Sequence, residues 1–237
     1  MGRSLRIYYP GLIYHVINRG NNRQAIFLED EDFKRYLGVL YRFKKFYDFQ
    51  LYAYCLMTNH DHLLVRVSEK GSISKIMQSI TLAHTKHYHF KYRTSGHVWQ
   101  GRFKSPIVSD DEYLLDVMRY IERNPLKAGM VQRVEDYRWS SYKLNVRAKK
   151  SRFIDRDSNA VFMRLGKNGT QRIRAYRLAM DEKIKEDRQN LLERSMAGVG
   201  DYMSEKFQKQ MQEMLPQKRK RGRPRKNLFI TDCNTVN

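Results

Sequence analysis

Cysteine is nearly absent from the chain: Cys55 lies in an apolar stretch and Cys233 in a polar tail, the two in 237 residues. This excludes a disulfide framework and a cysteine-based zinc module, and leaves Cys55 as a small buried hydrophobe. Long apolar runs are missing as well. No stretch approaches the roughly 20 residues of a membrane span, and Met1-Gly2-Arg3-Ser4-Leu5-Arg6 lacks the hydrophobic core of a signal peptide, so a cytoplasmic location is expected. Acids are scarce beside bases, 25 Asp+Glu against 46 Lys+Arg, giving a formal net charge of +21. That excess implies a polyanionic partner. Sixteen Tyr and 11 Phe interleave with the cations, which favours nucleic acid over membrane because unpaired bases stack on aromatic rings. A merely solvated basic surface is the alternative. The 41% hydrophobic content is ample for a core.

Periodicity orders the rest. Gly11 to Arg19 alternates as a strand and runs into the basic turn Arg19-Gly20-Asn21-Asn22-Arg23, suited to phosphates; its His15 reads as a packed or hydrogen-bonded histidine with no second ligand beside it. Glu29 to Tyr47 has acids first, bases last and helical apolar spacing. Gln50 to Met57 is an aromatic-rich strand, and Met57-Thr58-Asn59-His60-Asp61-His62-Leu63-Leu64-Val65 returns from it as a hairpin. Strand alternation puts His60 and His62 on one face and Asp61 on the other. Taken alone, the pair reads first as surface or hydrogen-bonded histidines, and second as two ligands of a shared cation.

Ser72 to about Arg93 is a second helix, capped by Ser72 or Ser74. Its His84/His87 pair lacks acidic partners and reads as part of a basic DNA-facing or solvated face. The segment from His97 to Val108 ends in a strand that Pro106 marks as an edge; within it Trp99, Arg102 and Phe103 read equally as aromatic packing and as nucleic-acid contacts. Ser109-Asp110-Asp111-Glu112 is a capping box for a third helix with apolar face Leu114, Val117, Met118 and Ile121. Asp116, Tyr120 and Asn124 share its other face at i, i+4 and i+8, and Pro125 is expected to end the helix at Asn124. Arg147 to Arg152 reads as a basic linker. The expected division is a catalytic domain over 1–147, a helical extension over 148–215 and a basic tail over 216–237, the tail disordered when free.

The order strand, helix, strand, strand, helix, strand, helix is that of an α+β, ferredoxin-like antiparallel sheet with helices packed on it. The blocks Tyr14-His15-Val16-Ile17-Asn18-Arg19-Gly20-Asn21, Tyr54 to Leu64, Gln100-Gly101-Arg102-Phe103-Lys104, Arg119-Tyr120-Ile121-Glu122-Arg123-Asn124-Pro125 and Trp139-Ser140-Ser141-Tyr142 resemble, in order, those of REP-associated tyrosine transposases. These are bacterial single-tyrosine HUH nucleases, of the transposase IS200-like superfamily. The resemblance covers roughly residues 5 to 145. It implies the HUH nuclease fold, a Mg²⁺ or Mn²⁺ ion held by His60, His62 and Asn124, and Tyr120 as nucleophile in a DNA nicking and strand-transfer reaction. The cleaved DNA is then a single-stranded hairpin of a repetitive extragenic palindrome, joined through a 5′-phosphotyrosine. The expected DNA contacts are Arg19, Arg23, Trp99, Arg102, Phe103 and Lys104, and the expected setting is the cytoplasm in association with the nucleoid; whether the protein is a monomer or a homodimer stays open. One position departs from the pattern: the residue between the two histidines is generally hydrophobic in the family, and here it is Asp61, whose burial unpaired is costly. The rival readings are a catalytically impaired palindrome-binding or repressor-like protein, and an RNA-hairpin binder.

The tail Lys218 to Lys226 carries seven cations and no acid. Its core Arg221-Gly222-Arg223-Pro224, with Arg225 following, is similar to an AT-hook, with a plain polybasic patch as the alternative reading. In either case its partner is duplex DNA, and it adds affinity without chemistry. Truncation after Leu215 is therefore expected to leave hairpin cleavage at saturating DNA intact. Duplex binding should weaken, its salt slope falling by about 0.9 for each phosphate that the tail no longer neutralises; failure to cleave at saturating DNA would place the tail in the active assembly.

Overall fold

The computed structural model describes residues 9–109, 112–197 and 200–214. Four strands form one antiparallel sheet: β1 (Ile13–Arg19), β2 (Gln50–Met57), β3 (His60–Arg66) and the two-residue β4 (Ile107–Val108), in the order β2-β3-β1-β4. This is the ferredoxin-like order expected from the sequence. The central strands are buried along most of their length, so both faces are covered. Val16, Leu51, Ala53, Leu63, Leu64 and Val65 are among the fully buried residues.

On one face lie α1 (Asp30–Tyr47) and α2 (Ile73–Tyr92), packed against each other. The first begins with a reciprocal capping box in which Glu29 and Asp32 each accept from the other's backbone N–H. Asp32 then bonds onward to Lys91 at 2.5 Å and Tyr92 at 2.7 Å, tying the start of α1 to the end of α2. The second is capped by the Ser72 hydroxyl, which accepts from Lys75 N. His84 does not join a basic DNA-facing surface. It is buried, its Nε2 lies 3.0 Å from the Ile26 carbonyl, and its ring packs among Phe27, Tyr36 and Trp99.

Against the other side of the sheet packs α3 (Glu112–Lys127), burying Leu114, Val117, Met118 and Ile121. The expected stop at Asn124 is not observed: the helix runs through Pro125 to Lys127. A proline nitrogen has no hydrogen for the carbonyl four residues back, here that of Ile121. The Asn124 side-chain amide covers this end, donating to Tyr120 O at 2.9 Å and Ile121 O at 3.5 Å. Of the proposed capping box, Asp110 and Asp111 lie outside the described residues.

A domain boundary near residue 147 is also not observed, because the first compact unit reaches Ser204. Several polar residues beyond 147 are bonded back onto earlier parts of the chain. Asp155 exchanges bonds with Leu51, N–H to O at 2.9 Å and Leu51 N–H to carboxylate at 2.8 Å. Arg156 is buried and donates to the carbonyls of Asn145 at 2.7 Å and of Arg147. Farther on come α4 (Tyr142–Asn145), α5 (Ala160–Arg164), α6 (Gly169–Asp181) and α7 (Glu186–Ala197), and Tyr202 pairs beside β4 through its own N–H and carbonyl. The second unit begins at Glu205 and contains α8 (Glu205–Met214). Among the described residues no helix is long and apolar enough to cross a membrane.

Behind α3, Glu122 is wholly buried and accepts from Ser141 at 2.5 Å, Asn145 at 2.7 Å and Tyr176 at 2.8 Å. Burial pushes its carboxyl up to about 7 against the pull of these bonds. A folded value raised above the ordinary 4.5 means that the native state holds the proton longer. The associated stability is full below that ordinary value and is lost as pH rises through about 7. Glu122→Gln keeps a carbonyl acceptor without a titrating proton. Urea unfolding should therefore show a loss of stability between pH 5 and pH 8 that is smaller in the variant by about 2 kcal/mol; an equal loss in both proteins would remove Glu122 as its source.

Candidate functional site

The register of β1 on β3 pairs Ile17 with His62, Asn18 with Asp61 and Arg19 with His60. Directly opposed residues share a face, so Arg19, His60 and His62 project toward α3 while Asp61 projects toward α1. There they meet Tyr120 and Asn124 in a cleft of about 890 Å³, which Arg102 and Lys104 also line. The rings of His60 and His62 are centred 5.0 Å apart, and those of His62 and Tyr120 6.0 Å apart.

Each histidine is oriented through one ring nitrogen. His60 Nδ1 lies 2.6 Å from Asn59 Oδ1, and His62 Nδ1 lies 3.0 Å from His15 Nε2. The expectation that His15 stands apart from other ligand-type side chains is thus corrected, because alternation along β1 turns it to the same face as Arg19. Burial, then the nearby Arg19 charge, pushes His60 down to about 4. Burial, then His15, His60 and Arg19, holds His62 well below its ordinary value, and burial alone pushes His15 down to about 3. All three rings are neutral at pH 7, the form in which imidazole donates to a metal.

The donor set fits a divalent cation on chemical grounds. With both Nδ1 atoms engaged, His60 and His62 keep Nε2, and Asn124, whose amide nitrogen faces its own helix, keeps Oδ1. Among the described residues no three His, Cys, Asp or Glu side chains cluster for a metal, so any site here depends on the amide as third donor. The tautomers are coupled. For His62 Nε2 to offer a lone pair, Nδ1 must carry the proton and donate to His15 Nε2. His15 then bears its own proton on Nδ1, an atom buried without a partner among the described residues.

Burial raises the Tyr120 phenol above its ordinary value, the Glu193 charge adds to this, and Arg19 opposes it. The ammonium of Lys127 stands 5.8 Å from the centre of the Tyr120 ring. Lys127 follows Tyr120 by seven residues, two helical turns, and that spacing is legible in the sequence. Glu193, Met196 and Ala197 close the cleft from α7. No local pattern marks these three, which arrive through the packing of α7. Lys104 donates to Met196 O at 2.9 Å, and Lys127 pairs with Glu193 at 3.3 Å.

Other residues singled out by sequence lie elsewhere. Asp116, on the helix row of Tyr120, is buried in bonds to Arg119 at 3.2 Å and Arg188 at 3.1 Å. Trp99 donates from its indole to Thr85 at 2.9 Å, against α2. Arg23 is exposed and Phe103 half-buried, and neither lines the cleft. Arg221, Arg223 and Arg225 lie outside the described residues.

Among the described residues Asp61 has no cationic partner. The Tyr36 hydroxyl donates to its Oδ2 at 3.1 Å, Oδ1 is unbonded, and burial pushes the carboxyl up to about 7. It faces away from the cleft, so it does not crowd the histidines.

Three comparisons with known proteins bear on this geometry. The family model described as Transposase IS200 like matches residues 8–124. A curated protein of Haemophilus influenzae, described as a candidate REP-associated tyrosine transposase, is 33% identical over 43% of this chain; the chain spans 64% of that relative's length. The solved structure of a REP-associated tyrosine transposase bound to a REP hairpin superposes with a TM-score of 0.52 at 22% identity, covering 62% of this chain and 86% of that one, and shows the shared fold. A crystal structure of a candidate transposase from Deinococcus radiodurans has a TM-score of 0.36 at 18% identity, covering 57% and 97%, and bears no weight.

The Asp61 environment sets a test. Asp61→Asn keeps an acceptor for Tyr36 and removes a carboxyl that ionises in an apolar interior at pH 8. The variant should unfold at that pH with about 1 kcal/mol more stability. Its affinity for Mn²⁺ by calorimetry should match that of the unmodified protein, and a lost affinity would make Asp61 a ligand.

Proposed function

We propose that this chain, whose residues 8–124 match the transposase IS200-like family, is a metal-dependent endonuclease and strand transferase acting on single-stranded DNA hairpins of repetitive extragenic palindromes. The observation that carries the reading is the meeting of Tyr120 with His60, His62 and Asn124 in one basic cleft. The hairpin-bound structural neighbour motivates the substrate class.

His60, His62 and Asn124 are the residues that would hold Mg²⁺ or Mn²⁺. The ion, when bound, supplies charge neutralisation at the scissile phosphate. The chain's own groups do the rest. Arg19, Arg102 and Lys104 hold phosphates along the cleft floor and rim, and α3 fixes the Tyr120 phenol beside the histidines. A phenol held above its ordinary value is protonated at neutral pH, so it loses its proton as it attacks. The Oη–P bond forms, the P–O3′ bond breaks, and the 3′ oxygen takes up a proton. The products are a free 3′-OH and a 5′-phosphotyrosine that retains the energy of the ester. Attack by another strand's 3′-OH reverses these bonds and joins the DNA.

The reading is tested on hairpin oligonucleotides labelled at the 3′ end and resolved on denaturing gels. The unmodified protein should form a covalent adduct in Mg²⁺ or Mn²⁺ and none in EDTA. Tyr120→Phe should bind the hairpin within about twofold of wild type and lose cleavage by at least about a thousandfold. Undiminished cleavage by that variant would sink the assignment.

A further inference from the structure

Across the sheet from the cleft, α1 and α2 leave between them a groove of about 520 Å³. Arg35 and Arg42 enter it from α1 and Lys86 from α2, and among the described residues no carboxylate lines it. The acids nearest in sequence are committed elsewhere: Glu31 to Lys34 at 3.5 Å, and Glu29 and Asp32 to Lys91 at 2.5 Å. The same groove displays aromatic surface. Phe90 is 72% exposed, and Phe43 lies beneath the Arg42 guanidinium at 4.7 Å.

One detail marks the groove as more than a solvated helix face. His87, which also lines the groove, has its Nε2 buried without a hydrogen-bond partner among the described residues.

We propose that this groove binds a segment of single-stranded nucleic acid, with phosphates on Arg35, Arg42 and Lys86 and a base stacked on Phe90. The chemistry selects that occupant. A duplex offers no exposed base faces to the rings, and an acidic peptide would use the cations while leaving the aromatic surface in water. The site lies on the opposite side of the sheet from Tyr120 and does not depend on the cleavage reaction, so it stands or falls separately from the proposed function.

The test uses the full chain carrying Tyr120→Phe, with the cleft saturated by unlabelled hairpin. A dT20 oligonucleotide substituted with 5-iodouracil is then added, irradiated, and its crosslinks mapped by mass spectrometry. Crosslinks are expected at Phe90. Phe90→Ala, at an exposed position, should weaken dT20 binding by about 5- to 100-fold, the range for one stacked base. Lys86→Glu, which reverses a charge that lines the groove, should weaken it at least tenfold with the circular dichroism spectrum unchanged. Crosslinks confined to the cleft or the basic tail would overturn the proposal. So would wild-type affinity in both variants, or displacement of dT20 from Phe90 by polyglutamate at equal chain length and lower concentration.

Discussion

The antiparallel register of β1 on β3 is the constraint on which the molecule depends. With side chains alternating every residue, a slip of one position would carry His60 and His62 to the α1 side and Asp61 into the cleft. Burial on both faces resists that slip. Leu63, Leu64 and Val65 continue β3 as fully buried residues on alternating sides, so displacement would disturb two cores at once. The polar residues are therefore placed by the apolar ones that follow them. Neighbouring residues of one strand thus serve different compartments: a carboxyl bonded to Tyr36 under α1, and two neutral imidazoles under α3.

The tyrosine helix is braced from behind by the chain beyond residue 147. Tyr176 bonds to Glu122, while Arg119 and Arg123 donate to the carbonyls of Glu182 and Met180. These bonds hold the back of α3 while its front carries Tyr120 and Asn124. Charged residues are costly to bury unless paired, and here Arg119 meets both the Asp116 carboxylate and a backbone carbonyl, while Arg123 uses backbone carbonyls. The segment that composition suggested to be an extension thus forms part of the scaffold that positions the candidate nucleophile.

What was legible in the sequence is what local physics decides. The alternation through His60-Asp61-His62 gave the correct faces, Ser72 capped its helix, and the apolar row of Leu114, Val117, Met118 and Ile121 went into the core. What stayed hidden depends on partners distant in the chain. His15 meets His62 only through strand pairing, and His84 is drawn inward by the Ile26 carbonyl and four aromatic rings. The stretch from Arg147 to Arg152 is basic enough to resemble a linker, and nothing local reveals that Asp155 will complete the edge beside Leu51. Proline gave a misleading stop signal at position 125 because the rule considers the backbone alone, whereas the preceding side chain supplies the missing donor.

That same Asn-Pro step bears on chemical ageing. Asparagine in proteins is lost chiefly when the next residue's backbone nitrogen attacks the side-chain carbonyl and closes a five-membered imide, which opens to aspartate or isoaspartate. The nitrogen following Asn124 belongs to Pro125, has no hydrogen to lose, and is fixed within a helix that keeps it from the required approach. The one amide in the candidate ligand set is thereby shielded from its commonest spontaneous decay.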